Sequence, residues 1–587
     1  MKFKVTLLFA IIFLFQKNTL AQTKTLNGLD ETIEKVIKDW NVPGIAVGIV
    51  QDGKIIYTRG FGKRNVADKL PVNENTLFAI GSCSKAFTAA TAAIAVDEST
   101  LAFDKPIKNY LPTFKMHNNY VGNNITLRDL LTHRSGLPRH DLVWYGSDKS
   151  RKELVAAIEF LELTTEFRTT WQYQNLMFMT AGYLVGQENN TTWEAYTQNR
   201  LLEPLGMNTT NFSIQTMKKS KNYSLPYKIK NEAAIAIPFR NVDAIGPAGS
   251  INSSAKEMSN WLLFQLNKGV FNDKKIISES NFKQMHQPQM PMPGEIDSDE
   301  IFYRSYGMGW MLTSYRGHFR SEHGGNIDGF SANVGLLPRD NIGVVVLTNM
   351  NGTSVPSIIQ NIIFDKLLGL KTIDWNERLL KNRRQSKDLE KELDASQADP
   401  LQKENTSPTH SVADYVGDYL HPAYGKAKVK AVDNALTMFY GGEELALEHY
   451  HYDIFKVNSE MSVINGLKVN FSMNENGDIE GIKMQLQQGV EAINFEKRIN
   501  IKNLDLNLYT GNFELLNQAI TFYIENNKLK LNVPPQPIYT LVPTGEHTFS
   551  IKGADGFTII FKVEKGKIVN SVTFNQPNGT FTAKKKP

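Results

Sequence analysis

Thr76-Leu-Phe-Ala-Ile-Gly81-Ser82-Cys-Ser-Lys85-Ala86-Phe-Thr-Ala-Ala-Thr-Ala-Ala-Ile-Ala-Val96 is an apolar stretch, a glycine and then a run of small residues. The run reads as a helix without a polar face, hence one buried all round. Ser82 stands at its mouth. Lys85 follows three residues later, the spacing that places both side chains on one helix face. An amine in reach of a hydroxyl can take its proton, and a helix N-terminus favours the negative charge that develops. Alone, the pattern is weak, because Ser82 also reads as an N-cap and S-x-x-K recurs from Ser253 and Ser280. Ser254-x-x-Glu257 ahead of Met258–Leu266 reads as a capping box, a structural role for that copy. The stretch Ser278–Lys283 has no apolar helix behind it.

Outward from this stretch, the flanks pair up. Leu29, Ile33, Val36, Ile37 and Trp40 share one helical face that Pro43 terminates. Ile45–Val50 and Ile55–Tyr57 flank Asp52-Gly53, a hairpin signal. Phe330–Leu337 and Ile342–Leu347 form a second strand pair, followed by an amphipathic helix through Val355, Ile358, Ile359, Ile362 and Ile363 that Gly369 can end. An antiparallel sheet drawing strands from both ends of one domain is expected, with mostly helices and loops between Arg59 and Arg320. The fold class is α+β.

The region from Glu377 to Lys403 carries 13 charged residues in 27, which reads as a solvated helical linker. Beyond it lie short alternating strands and a repeat. Tyr415-Val-Gly417-Asp-Tyr419 recurs as Tyr509-Thr-Gly511-Asn-Phe513, and Phe455 as Phe549, each at an offset of 94; Gly466 and Phe471 match Gly556 and Phe561 at 90. Two copies of one small β module follow the first domain. The expected layout is a signal peptide over 1–21, a main domain over 22–376, a charged linker over 377–410, and modules over 411–500 and 501–587.

At 587 residues the chain is too long for one core. Lys and Arg number 65 against 60 Asp and Glu, a net charge of +5 with no concentrated basic patch, which argues against nucleic acid. The single cysteine, Cys83, excludes an internal disulfide and a multi-cysteine metal site. Lys2 and Lys4, the apolar run Val5–Phe15 and Thr19-Leu-Ala21 have the layout of a secretory leader, too short to span a bilayer. The expected product is exported, periplasmic or secreted, with no transmembrane segment after the leader.

Two further motifs give Ser82 company. Tyr173-Gln-Asn175 is the sole Y-x-N in the chain, and His323-Gly-Gly325 the sole H-x-G. With Ser82-Cys-Ser-Lys85 they stand in the order found in the serine β-lactamase and penicillin-binding protein superfamily, which the chain resembles from about Leu29 to Leu370, in particular its class C-like esterase and D-aminopeptidase branch. Ile125–Leu137 and Gly246–Lys256 also look like the family. The resemblance implies a class C β-lactamase-like domain, an antiparallel sheet flanked by helices plus an all-helical region, followed here by two small antiparallel β-barrel-like modules. D-aminopeptidases of this branch also carry two such modules.

The same resemblance implies roles. Ser82 is the nucleophile, and Lys85 and Tyr173 are the base and proton shuttle. Asn175 orients Lys85 or a substrate carbonyl. The backbone N–H groups of Ser82 and of Asn326, the latter on an edge strand, form the oxyanion hole. His323, Gly325 and Asn326 belong to the substrate-binding third motif. The family's usual Lys-Thr-Gly is missing, and His323 stands in the lysine's place. Histidine is largely neutral near pH 7, which disfavours substrates with an obligatory carboxylate. The expectation is a serine hydrolase acting on peptides or amides, some with D-amino acids, or on esters. A carboxylesterase, a penicillin-binding DD-peptidase or β-lactamase, and a non-catalytic scaffold are the alternatives. A small-molecule or peptide substrate is the expected partner, and no cofactor or metal is implied. Cys83 reads as a small buried hydrophobe, His133 as a loop-shaping residue, and the alternating His449, His451 and Asp453 lack the further ligands that a metal needs.

Overall fold

The computed structural model describes residues 25–294, 299–395, 401–459, 462–498, 504–545, 547–554, 556–564 and 568–586. The leader expected at 1–21 lies outside them. By contact clustering the chain forms two compact units. The first comprises the described residues up to Gln402 together with Pro422–Gly425 and Gln485–Ile493, and the second the other described residues.

A nine-stranded antiparallel sheet organises the first unit. Its strands in chain order are β1 (Gly44–Gln51), β2 (Lys54–Asn65), β3 (Leu70–Pro71), β4 (Met290–Pro291), β5 (Arg304–Tyr306), β6 (Met311–Tyr315), β7 (His318–Ile327), β8 (Phe330–Leu337) and β9 (Ile342–Thr348). Their spatial order is β4-β5-β6-β7-β8-β9-β1-β2-β3. The two expected hairpins therefore meet at the centre, where Val47 faces Val346 and Ile49 faces Val344 across the β1–β9 pair. Alternation sends Ile45, Val47 and Ile49 to one face, against helix α1 (Leu29–Asp39) and the later helix Val355–Leu368. The other face takes the helix Ala255–Leu266. Gly48 makes that approach possible, since a Cβ there would sit 2.5 Å from Ser259 Oγ. The helix Trp375–Ala395 begins with Trp375 and Leu380 buried in the first core.

Two expectations are corrected. The strand carrying the third motif, β7, is an inner strand and not an edge. It outruns β6, whose last partner pair is Met311–Glu322, so residues past Glu322 pair on one side only. The proposed capping box at Ser254 is half formed. Ser254 Oγ accepts the Glu257 N–H at 3.3 Å, but the Glu257 carboxylate instead caps the backbone N–H groups of Thr209 and Thr210 at 2.8 Å each. Ser280 lies in a short helix, Glu279–Met285, capped by Ser278.

The repeat resolves into two closed eight-stranded antiparallel barrels, running from Gly417 to Arg498 and from Gly511 to Lys585. Its landmarks are the buried ring clusters. Tyr415 packs on Phe455 and Phe471 with centroids 5.3 and 4.8 Å away, and Tyr509 on Phe549 and Phe561 at 4.9 Å each. Among the described residues no helix is long and apolar enough to cross a membrane.

Candidate active site

Ser82 occupies a tight 3-10 turn, Gly81–Cys83, directly before the helix Ser84–Asp97, most of which is buried. The turn is pinned from within: Ser84 Oγ donates to Gly81 O at 2.7 Å and accepts the Ile251 N–H at 3.1 Å. Two glycines let β7 close on it. Gly81 has φ +51° and a Cβ there would sit 2.8 Å from the Asn326 nitrogen; a Cβ on Gly325 would sit 1.9 Å from Ile80 O. No side chain fits at either contact, so Gly325 serves the site through the approach of its backbone. The result places the Asn326 backbone beside the serine turn. The Asn326 side chain is turned elsewhere, accepting from Ser331 Oγ and the Gly352 N–H at 2.9 Å each.

Lys85 is fully buried, and its Nζ meets three oxygens: Asn175 Oδ1 and Ala248 O at 2.8 Å, and Ser82 Oγ at 3.1 Å. Among the described residues no carboxylate touches it. Burial, helped by the positive charge of Arg139, holds the amine well below its ordinary value. Once deprotonated, the amine would spend its two N–H bonds on Asn175 and Ala248 and turn its lone pair to the Ser82 hydroxyl. Tyr173 and Ser82 line the same cleft, and the Ser82 hydroxyl bears on the Tyr173 phenol. Lys85 Nζ lies 4.7 Å and Arg139 Cζ 4.8 Å from the Tyr173 ring centroid. Burial raises the Tyr173 hydroxyl above its ordinary value, while the Ser82 hydroxyl and Arg139 work against that rise. The segment bearing Tyr173 is held by His133, whose Nδ1 accepts the Gln174 N–H at 3.0 Å and whose carbonyl accepts the Gln172 N–H at 2.8 Å.

Asn175 opens the helix Asn175–Glu188. Its Nδ2 donates to Asp141 Oδ1 at 2.9 Å and its Oδ1 accepts from Lys85 Nζ at 2.8 Å. His323 is buried, with Tyr306 Oη 3.0 Å from its Nε2 and Gly324 O 2.7 Å from its Nδ1. A carbonyl can only accept, so Nδ1 carries the proton and Nε2 takes the tyrosine hydroxyl. Burial, with help from Lys85, pushes its pKa down to about 3. The third motif therefore supplies no cation. Cys83 is buried against His323 O at 3.1 Å, with its thiol pushed up to about 12 by burial, a poor nucleophile.

Ser82, Arg139, Tyr173 and His323–Asn326 line one cleft of about 1200 Å³. Gln487, Gln488 and Gly489, which cluster with the first unit, line it too. In that unit His140 Nδ1 lies 2.7 Å from Tyr424 Oη, and the His140 N–H donates to Gln487 Oε1 at 2.6 Å. Sequence reasoning missed Ala248, Arg139, Asp141 and the Gln487 segment. Ala248 lies in Gly246–Lys256, singled out as family-like, but it acts through a backbone oxygen that no residue type advertises. Among the described residues no group of three or more His, Cys, Asp or Glu could hold a metal ion.

The geometry agrees with what the chain resembles. The unguisins hydrolase ungD' of Aspergillus campestris is 27% identical over 414 residues, covering 67% of this chain and 76% of that protein. Protein flp of Staphylococcus aureus (strain N315) is 28% identical over 340 residues, covering 57% of this chain and 65% of that protein, just under two thirds of its length. The octameric penicillin-binding protein homologue from Pyrococcus abyssi shares the fold at a TM-score of 0.54 and 22% identity, covering 87% of this chain and 99% of that one. A profile described as a domain of unknown function (DUF3471) matches residues 401–497. The Beta-lactamase profile matches residues 29–363, more than half of the chain, and the chain belongs to that family of serine hydrolases.

Proposed function

We propose that this protein is an exported serine hydrolase that cleaves peptide or amide bonds, including those of D-amino acids, or small esters, through an acyl-enzyme on Ser82. The observation that carries the reading is the Lys85 amine, buried without a counter-charge and with two of its three contacts filled by acceptors. Its lone pair takes the Ser82 proton as Oγ attacks the substrate carbonyl. The negative charge that forms on the carbonyl oxygen is met by the backbone N–H groups of Ser82 and Asn326. Tyr173, which lines the cleft with Ser82 and is flanked by Lys85, takes the proton from Lys85 and passes it to the leaving amine or alcohol. Water then enters along the reverse path, gives its proton to the same base and releases the acid and free Ser82.

Neutral His323 supports substrates without an obligatory carboxylate at the third motif. The names of the unguisins hydrolases support hydrolysis in this branch, and the two barrels support the likeness to D-aminopeptidases. The test is a panel of D-alanyl and L-alanyl nitroanilides and nitrophenyl esters, assayed with wild type and Ser82→Ala. Turnover of D-alanyl amides that disappears in the variant is the expected result. Turnover confined to esters moves the reading to an esterase, and turnover retained by Ser82→Ala overturns it.

A further inference from the structure

Arg139 and Asp141 belong to none of the three motifs, yet each reaches one half of the base. The Asp141 carboxylate accepts three hydrogen bonds: Oδ1 from Asn175 Nδ2 at 2.9 Å and from Trp144 Nε1 at 3.0 Å, and Oδ2 from Arg139 Nε at 2.6 Å. An ionised carboxylate can only accept, so it fixes the Asn175 amide with its NH2 outward and its oxygen on Lys85. The Arg139 guanidinium, tied to the same carboxylate, lies over the Tyr173 ring. Contacts thus run from Ser82 through Lys85, Asn175, Asp141 and Arg139 to Tyr173.

The other titratable groups facing Lys85 and Tyr173 are Cys83, His133, Tyr306 and His323. All four are neutral. Burial raises the Cys83 thiol and the Tyr306 hydroxyl and holds both imidazoles well below their ordinary values. Arg139 and Asp141 are therefore the charges that bear on the base among the described residues, and their signs are opposite.

We propose that Asp141 and Arg139 are a positioning pair: Asp141 locks the Asn175 amide toward Lys85, Arg139 is held over Tyr173, and their opposed charges set the pH at which the base is ready. The inference rests on the hydrolase reading above. Asp141 favours the protonated forms of Lys85 and Tyr173, and Arg139 disfavours them. Removing each charge therefore moves the acid limb of kcat/KM in opposite directions.

The experiment records pH profiles of nitrophenyl acetate hydrolysis, a neutral substrate, for wild type, Asp141→Asn, Arg139→Gln and the double variant. Thermal melts check folding, and Arg139→Lys serves as a charge-retaining control. Asp141→Asn should shift the acid limb to lower pH and lose about 10²-fold in kcat as the amide comes loose, with KM little changed. Arg139→Gln should shift the limb to higher pH, and Arg139→Lys should leave it in place. The double variant should bring the limb back toward wild type without restoring kcat. Arg139 is half exposed, so that arm stands even where Asp141→Asn folds poorly. Loss of rate with no shift, or with both limbs moving the same way, makes the pair a structural ion pair and overturns the proposal. A wild type without Ser82-dependent turnover overturns the hydrolase reading itself, and the inference with it.

Discussion

Lys85 in the first unit and Tyr415 in the second are both buried polar side chains, and their partners differ in kind. Lys85 meets two neutral carbonyl oxygens and a serine, with no opposite charge in contact. Tyr415 donates to the Asp453 carboxylate, which also takes the Thr409 hydroxyl at 2.7 Å and its N–H at 3.0 Å. The first arrangement leaves an amine without a charged partner in contact among the described residues, while the second pairs a hydroxyl with a carboxylate that accepts two further hydrogen bonds. The difference separates a site poised for chemistry from a polar clamp on a fold. The second barrel sharpens the point, because Tyr509 meets His547 Nδ1 at 2.7 Å where the first barrel has Asp453. The offset is again 94 residues.

The largest effect that would break this comparison is on the amine. Lys85→Ala should lower kcat/KM by about 10³-fold, the scale of a lost general base, while the melting of the barrels stays put. Nitrophenyl ester kinetics with a thermal melt reads both. Next comes Gly325→Ala, whose Cβ would collide with Ile80 O. Pushing β7 off the serine turn should destabilise the first unit by about 1–3 kcal/mol and cost kcat as well, so an unaltered kcat would mean that the close approach is not needed.

Asp453→Ala should cost about 1–3 kcal/mol in the first barrel by leaving the Tyr415 hydroxyl unpaired, with turnover unchanged. Burial pushes the Asp453 carboxyl up, yet hydrogen bonds from Tyr415 and Thr409 outweigh it and hold the group below its ordinary value. As pH falls the unfolded chain protonates first, so this stabilisation is present above about pH 4 and lost below it. Denaturant melts from about pH 7 down to about pH 3, through the ordinary carboxyl range near 4, should show the variant's deficit shrinking toward the acid end. The smallest effect belongs to Tyr509→Phe, about 0.5–1.5 kcal/mol for one hydrogen bond, again with turnover intact.

Much of this was legible because it lies in side-chain pattern. Asp52-Gly53 announced the first hairpin, and the apolar runs at 330 and 342 the second, so the centre of the sheet followed from residues nearly 300 positions apart. The repeated aromatics marked the barrels because each is a buried ring in its copy. Asp453 and His547 stand at the same offset as those aromatics, a signal that was present and not read as a pairing. What could not be read lies in backbone atoms and tertiary approach. The Ala248 carbonyl on Lys85, the fit of Gly325 against Ile80, and the residues of β7 paired on one side only beyond Glu322 carry no mark in residue type. The Gln487 segment is separated from Ser82 by some 400 residues, and only the folded chain brings it to the cleft.

The central claim is that Ser82 is an activated nucleophile. Incubating the purified protein with a fluorophosphonate probe and recording the intact mass, wild type beside Ser82→Ala, tests it most directly. The account predicts one adduct on wild type and none on the variant. A folded wild type that takes up no probe, or a variant labelled equally well, would contradict it.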